Sequence, residues 1–185
     1  MSSQTLVLID GENLVKRYED MLTDAEAPVT PSEHNAYIPG VFVWNNRLCG
    51  FPVAPHVLRV IMYVTVTGDR QGEMASKIRE QMFAYGDSVK REWQRLTPVV
   101  IKKPKDRPAK EVDIQICVDA LENAAKGNMQ ELVLVTGDAD SAPLARSVMR
   151  LGIRVHLRAL SKGCSEVIRE VGDSFTPLDS LLFKS

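Results

Sequence analysis

The sequence has little of what disulfide frameworks and metal fingers are built from. It holds three cysteines and three histidines in 185 residues. Cys49, Cys117 and Cys164 are far apart, with no CxxC pair, which excludes a zinc finger and a stapled secreted scaffold. Cys117 lies in an apolar stretch and reads as a small core residue. His34, His56 and His156 show neither HxH nor HExxH spacing, which excludes a histidine-based zinc site. No window approaches the roughly 18 uninterrupted apolar residues of a membrane span. The start, Met1-Ser-Ser-Gln-Thr5, has no basic segment, and the apolar run Leu6 to Ile9 is too short for a signal peptide. A cytoplasmic protein without a membrane partner is expected. There is no GxGxxG or GxxxxGK[ST] loop for nucleotide phosphates. No Ser/His/Asp or Cys/His constellation is visible, so any hydrolytic attack must use water.

What is present is a chain of ordinary globular composition, 44% hydrophobic and 25% charged, with net charge −1. The charge is unevenly spread. Residues 87–110 carry Lys90, Arg91, Arg95, Lys102, Lys103, Lys105, Arg107 and Lys110 against Asp87, Glu92 and Asp106. The remainder is therefore net acidic. A positive stretch of this kind suits phosphate contacts by Lys102, Lys103, Lys105, Arg107 and Lys110.

Short buried-type strands alternate with helical segments. Strands are expected at 5–9, 56–66, 98–101, 131–135 and 153–157, and helices at 12–22, 71–84, 111–125, 140–151 and 165–171. A further short helix is expected near 86–95. In the segment 111–125, Ile114, Cys117, Val118, Leu121 and Ala125 recur at helical spacing and predict its packed face. Residues 23–54 read as an insertion on one domain spanning 1–185. Within it, Asn45-Asn46 suggests the turn of a hairpin over 41–49, and Phe42 and Trp44 read as core or dimer-contact residues. A homodimer is compatible with this pattern. The alternation predicts an α/β fold, a mainly parallel five-stranded sheet of order 3-2-1-4-5 with helices on both faces.

In such a sheet, ligands bind at the carboxyl ends of the strands near the reversal of strand order. Two strands end there on acids: Leu-Val-Leu-Ile9 runs into Asp10-Gly-Glu-Asn13, and Leu-Val-Leu-Val135 into Thr136-Gly-Asp138-Ala-Asp140. Strand order places them side by side. Each acid alone reads equally well as a helix cap, but both strands add a glycine, Gly11 or Gly137, that permits a tight turn. Asp113, in the first turn of the helix after the basic stretch, supplies a third element. Asp119, six residues on, is rotated away from it. Thr136 is placed to hydrogen-bond a carboxylate. Clustered carboxylates repel unless a cation is bound, and oxygen ligands select Mg2+ or Mn2+. Beside a basic loop, this set suits metal-assisted phosphodiester hydrolysis by activated water.

Three segments taken together resemble the NYN family of LabA-like, PIN-related domains. They are Leu-Val-Leu-Ile-Asp10-Gly-Glu-Asn13, Lys110-Glu-Val-Asp113-Ile-Gln-Ile-Cys-Val-Asp119 and Leu-Val-Leu-Val-Thr-Gly-Asp138-Ala-Asp140. The closing Val167-Ile-Arg-Glu-Val-Gly-Asp173-Ser-Phe175 is similar as well. The resemblance covers 5–22 and 56–179. It implies a three-layer, PIN-like Rossmannoid fold and a Mg2+- or Mn2+-dependent ribonuclease, with RNA as partner and DNA also compatible. It implies Asp10, Asn13, Asp113, Asp138 and Asp140 as metal-site positions and Asp119 as a recurrent acid. Ser141 departs from a phenylalanine common after the last acid. Two other readings compete. A non-catalytic RNA- or protein-binding module would keep the acids as a structural metal site. A haloacid-dehalogenase phosphatase would need DxD on the first strand, where Glu12 stands instead.

Overall fold

The structure is a computed structural model that describes residues 4–49, 56–86, 91–103 and 110–184. In chain order the elements begin with β1 (Gln4–Asp10), α1 (Gly11–Leu22), β2 (Thr30–Pro31), β3 (Ala36–Ile38), β4 (Phe42–Trp44) and β5 (His56–Val66). Next come α2 (Gln71–Arg79), β6 (Met82–Gly86), β7 (Arg91–Arg95), β8 (Thr97–Lys102), α3 (Glu111–Ala125) and β9 (Glu131–Val135). A 3-10 turn at Ala139–Ser141 leads into α4 (Ala142–Arg150), followed by β10 (Arg154–Ala159), α5 (Glu166–Val171), β11 (Ser174–Pro177), α6 (Asp179–Leu182) and β12 (Phe183–Lys184).

The central sheet runs β11-β10-β9-β1-β5-β8, and every pairing in it is parallel. This is the expected doubly wound order, with β11 added as a sixth strand beside β10. The two central strands are apolar from Leu6 to Ile9 and from Leu132 to Val135 because both their faces are covered. Alternate residues divide between the layers. Val7 and Ile9 of β1 and Val133 and Val135 of β9 join one cluster with Leu14, Tyr18, Phe42, Trp44 and Leu178. Leu6 and Leu8, with Leu132 and Leu134, join the other, against Val112, Ile116, Leu144 and Val148. Among the described residues no helix is long and apolar enough to cross a membrane.

Three local expectations are corrected. The packed face of α3 is Val112, Ile116 and Ala120, whereas Ile114 is 61% exposed and Val118 and Leu121 are about 40% exposed. The helix carries two apolar stripes, and spacing alone does not say which one meets the sheet. The helix expected over 71–84 stops at Arg79, and the described residues of the stretch 86–95 form no helix. Met82–Gly86 and Arg91–Arg95 pair as an antiparallel hairpin instead. Residues 82 and 83 satisfy helical spacing from Met74 and Ile78, but the aromatic alternation around the buried Phe83 favours a strand, with Leu96 packed in the same cluster. The third correction concerns the segment 23–54. Its hairpin pairs β3 with β4 through Gly40, whose φ is 66°. Asn45 does open a turn, its carbonyl accepting the Leu48 N–H at 2.9 Å, but residues 47–49 form no return strand; the Asn45 side chain is buried, donating to Asn35 Oδ1 at 2.9 Å and accepting from the Arg47 backbone N–H at 3.0 Å. Phe42 and Trp44 are core residues, as expected.

Neither Gly11 nor Gly137 has a positive φ, so turn geometry is not why glycine stands there. Close approach is. A Cβ on Gly11 would lie 2.6 Å from the Tyr63 carbonyl oxygen and 2.8 Å from Val64 Cγ1. The first turn of α1 therefore lies directly on β5. Gly11→Ala is expected to push α1 off the sheet, costing roughly 1–3 kcal/mol and lowering Tm by several degrees in thermal denaturation. An unchanged Tm would mean that α1 shifts without loss of packing.

Candidate active site at the carboxyl ends of β1 and β9

β1 and β9 are direct neighbours, with Ile9 opposite Val135. Their ends therefore open into one crevice. Asp10 is the buried member, 5% exposed. It caps α1, because its Oδ1 accepts the Asn13 backbone N–H at 2.9 Å. Its Oδ2 accepts the Thr136 hydroxyl at 3.1 Å. Capping and site membership thus coexist in one carboxylate, which retains lone pairs beyond the two in use.

The two strand ends are laced together. Asn13 Oδ1 accepts the Gly137 N–H at 3.0 Å. The Asp138 N–H lies 3.3 Å from Thr136 Oγ1. Asp138 Oδ1 accepts the Asp140 N–H at 3.0 Å, capping the 3-10 turn. Asp138 and Asp140 are exposed at the mouth of the crevice, and Asp113, also exposed, faces them from the first turn of α3.

Electrostatics shows which acids share the crevice. Burial pushes the Asp10 carboxyl up to about 6; desolvation is the largest cause and outweighs the Asn13 and Thr136 hydrogen bonds, and the charges of Asp113 and Glu12 add smaller upward pressure. Asp113 is also raised, first by desolvation, then by Asp138, Glu12 and Asp140, against the opposing charge of Lys110. Glu12 and Asp113 thus act on Asp10, and Glu12, Asp138 and Asp140 act on Asp113, which links the five acids into one set. Among the described residues no three His, Cys, Asp or Glu side chains close up into a metal-binding group. The acids stand around the crevice at a distance from one another.

Glu12 is the member that residue reasoning did not assign. It lies one turn-step from Asp10, and its Oε1 is 3.1 Å from Lys103 Nζ. Asp119 stands apart from the set: its Oδ2 accepts the Tyr63 hydroxyl at 2.5 Å and its Oδ1 the Gln115 amide at 3.1 Å. It anchors α3 to β5. Of the basic residues, Lys103 reaches the crevice through Glu12 and Lys110 acts on Asp113. Lys102 pairs with Asp69. Lys105 and Arg107 lie outside the described residues. A cleft of about 370 Å3 continues from Glu12 and Lys103 past Lys16, Glu19 and Arg70. Lys16 and Arg70 add positive charge that the basic run did not announce, because they come from distant elements.

Comparison with known proteins agrees with this architecture. The family model of the NYN domain matches residues 4–179. Among solved structures, the fold is similar to that of a protein of unknown function from Vibrio parahaemolyticus. The TM-score is 0.63, with 17% identity over 98% of this chain and 96% of that one. At that identity the likeness concerns the fold alone. No curated protein matches the chain by sequence.

The raised pKa of Asp10 sets a stability profile. A folded pKa of about 6 against an ordinary 3.8 means that the folded state holds the proton more tightly. That contribution is full below pH 3.8 and is lost as pH rises through 6. The difference is worth roughly 3 kcal/mol. In chelator, Asp10→Asn should melt several degrees higher than wild type near pH 7 and converge with it near pH 4. Parallel melting curves across that range would contradict the buried, strained carboxylate.

Proposed function

The chain belongs to the NYN domain family, and on that premise we propose that it is a divalent-metal-dependent ribonuclease. NYN domains are typically nucleases. The observation that carries the reading is a set of five acids, the buried Asp10 with Glu12, Asp113, Asp138 and Asp140, gathered where two adjacent parallel strands end.

The donor set fits a hard cation. All five groups offer carboxylate oxygens, and Asp10 is buried with no cationic partner among the described residues. Mg2+ usually keeps several waters and takes only one or two carboxylates directly, which suits acids standing apart. Asp10, Asp113 and Asp138 are the residues that would hold the ion, with Asp140 and Glu12 at the margin. When bound, Mg2+ or Mn2+ would supply charge neutralisation at the phosphodiester and lower the pKa of water. The chain's own groups do the positioning. Thr136 and the Asn13 backbone fix the Asp10 oxygens, and the Asn13 side chain locks the β9 end against α1. Asp138 and Asp140 face the open side, where a water can be oriented and its proton accepted. Lys103, Lys110, Lys16 and Arg70 border the path for phosphates.

Mn2+-stimulated, EDTA-sensitive cleavage of single-stranded RNA leaving 5′-phosphate ends is expected. Asp138→Asn should lower the rate by about two orders of magnitude or more. Unchanged cleavage would remove Asp138 from the mechanism, and binding without cleavage across several RNAs would favour a non-catalytic binding module. Lys103→Ala should weaken RNA binding and reduce the slope of log affinity against log salt by about one. A slope equal to that of wild type would place the strand elsewhere.

A further inference from the structure

A second cavity, of about 550 Å3, shares no residue with the acidic crevice. The segment 23–54 contributes Asn46 and Arg47, the β6–β7 hairpin Tyr85 and Trp93, β10 Arg158 and β11 Thr176. Its volume lies within the range of small-ligand sites. None of its described lining residues is an acid, although the chain as a whole has net charge −1.

Arg158 is the unusual member. It is 95% buried by accessible surface, being 5% exposed. Its Nη1 donates to the Leu48 carbonyl at 2.7 Å. Its Nε has no hydrogen-bond partner. Among the described residues no carboxylate pairs with it, and burial pulls its pKa below the usual arginine range. A buried guanidinium without a counter-charge is expensive, and an anion entering the cavity would offset that cost. Arg47 supplies a second positive charge at the same wall. Trp93 is 54% exposed and offers its ring to a flat partner; Tyr85 lines the cavity from the other face of the hairpin, with its hydroxyl donating to Glu92.

We infer that this cavity binds a nucleoside monophosphate unit, with the phosphate at Arg158 and Arg47 and the base on Trp93. Guanidinium forks match phosphate geometry, and exposed rings stack on bases with little regard to sequence. The unit is either a free nucleotide or one residue of an RNA strand. The inference does not depend on catalysis at the acidic crevice, so the two readings fail separately.

Titration calorimetry of AMP and UMP into the full chain tests it. Saturable single-site binding with a Kd of about 1 mM or tighter is expected. Affinity should fall about tenfold in Arg47→Ala and in Trp93→Ala. Arg158→Met should abolish binding. Should that buried substitution prevent folding, the two surface variants decide alone. Adenosine should bind far more weakly than AMP. A short oligoribonucleotide that displaces AMP assigns the subsite to an RNA strand, and failure to displace assigns it to a free nucleotide. Absence of saturable AMP binding, equal affinity for adenosine and AMP, or wild-type affinity in both surface variants overturns the inference.

Discussion

Asp10 is a carboxylate that the fold buries and then surrounds with like charge. Everything around it follows from where β1 ends. The strand is apolar up to Ile9 because both its faces are covered, and the chain turns into α1 at the next residue. One oxygen therefore caps α1 and the other meets Thr136 of the neighbouring strand. The two hydrogen bonds hold the group but do not restore its ordinary pKa, since desolvation outweighs them. Asn13 and Gly137 then tie α1 to the β9 end. A position this costly to a free carboxylate is understandable when a cation completes it.

Much of this was legible in the sequence. Strands buried on both faces write continuous apolar runs, so β1, β5 and β9 stood out, and their alternation with helices predicts strand order. That order alone makes Asp10 and Asp138 neighbours. Less legible was anything that depends on which of two equivalent patterns tertiary packing selects. The helix α3 carries apolar stripes on two sides, and only the sheet decides that Val112, Ile116 and Ala120 face inward. Residues 82–95 satisfy helical spacing and strand alternation at once, and pairing between Met82–Gly86 and Arg91–Arg95 settles the contest. Asn45-Asn46 does mark a turn, but no strand follows it, and the Asn45 side chain is a buried hydrogen-bond node.

The site divides along the same line. Residues adjacent to a strand end were readable, including Thr136, whose hydroxyl reaches Asp10. Residues defined by contact across the sequence were not. Glu12 joins the acids because α1 starts beside them, and Lys16 and Arg70 border the crevice from α1 and from the residue before α2. Asp119, grouped with the acids by motif, turns to Tyr63 because it lies on the β5 side of α3. Glycine at position 11 was right for a different reason: the need is contact with the Tyr63 carbonyl, not a left-handed turn.

The central claim is that the acids around Asp10 form a divalent-cation site. Calorimetric titration of Mn2+ into the metal-free chain at neutral pH, set beside Asp10→Asn, tests it most directly. The account predicts saturable binding by the wild type and its loss in the variant while the variant remains folded. Equal Mn2+ binding by the two proteins, or none by the wild type, would contradict it.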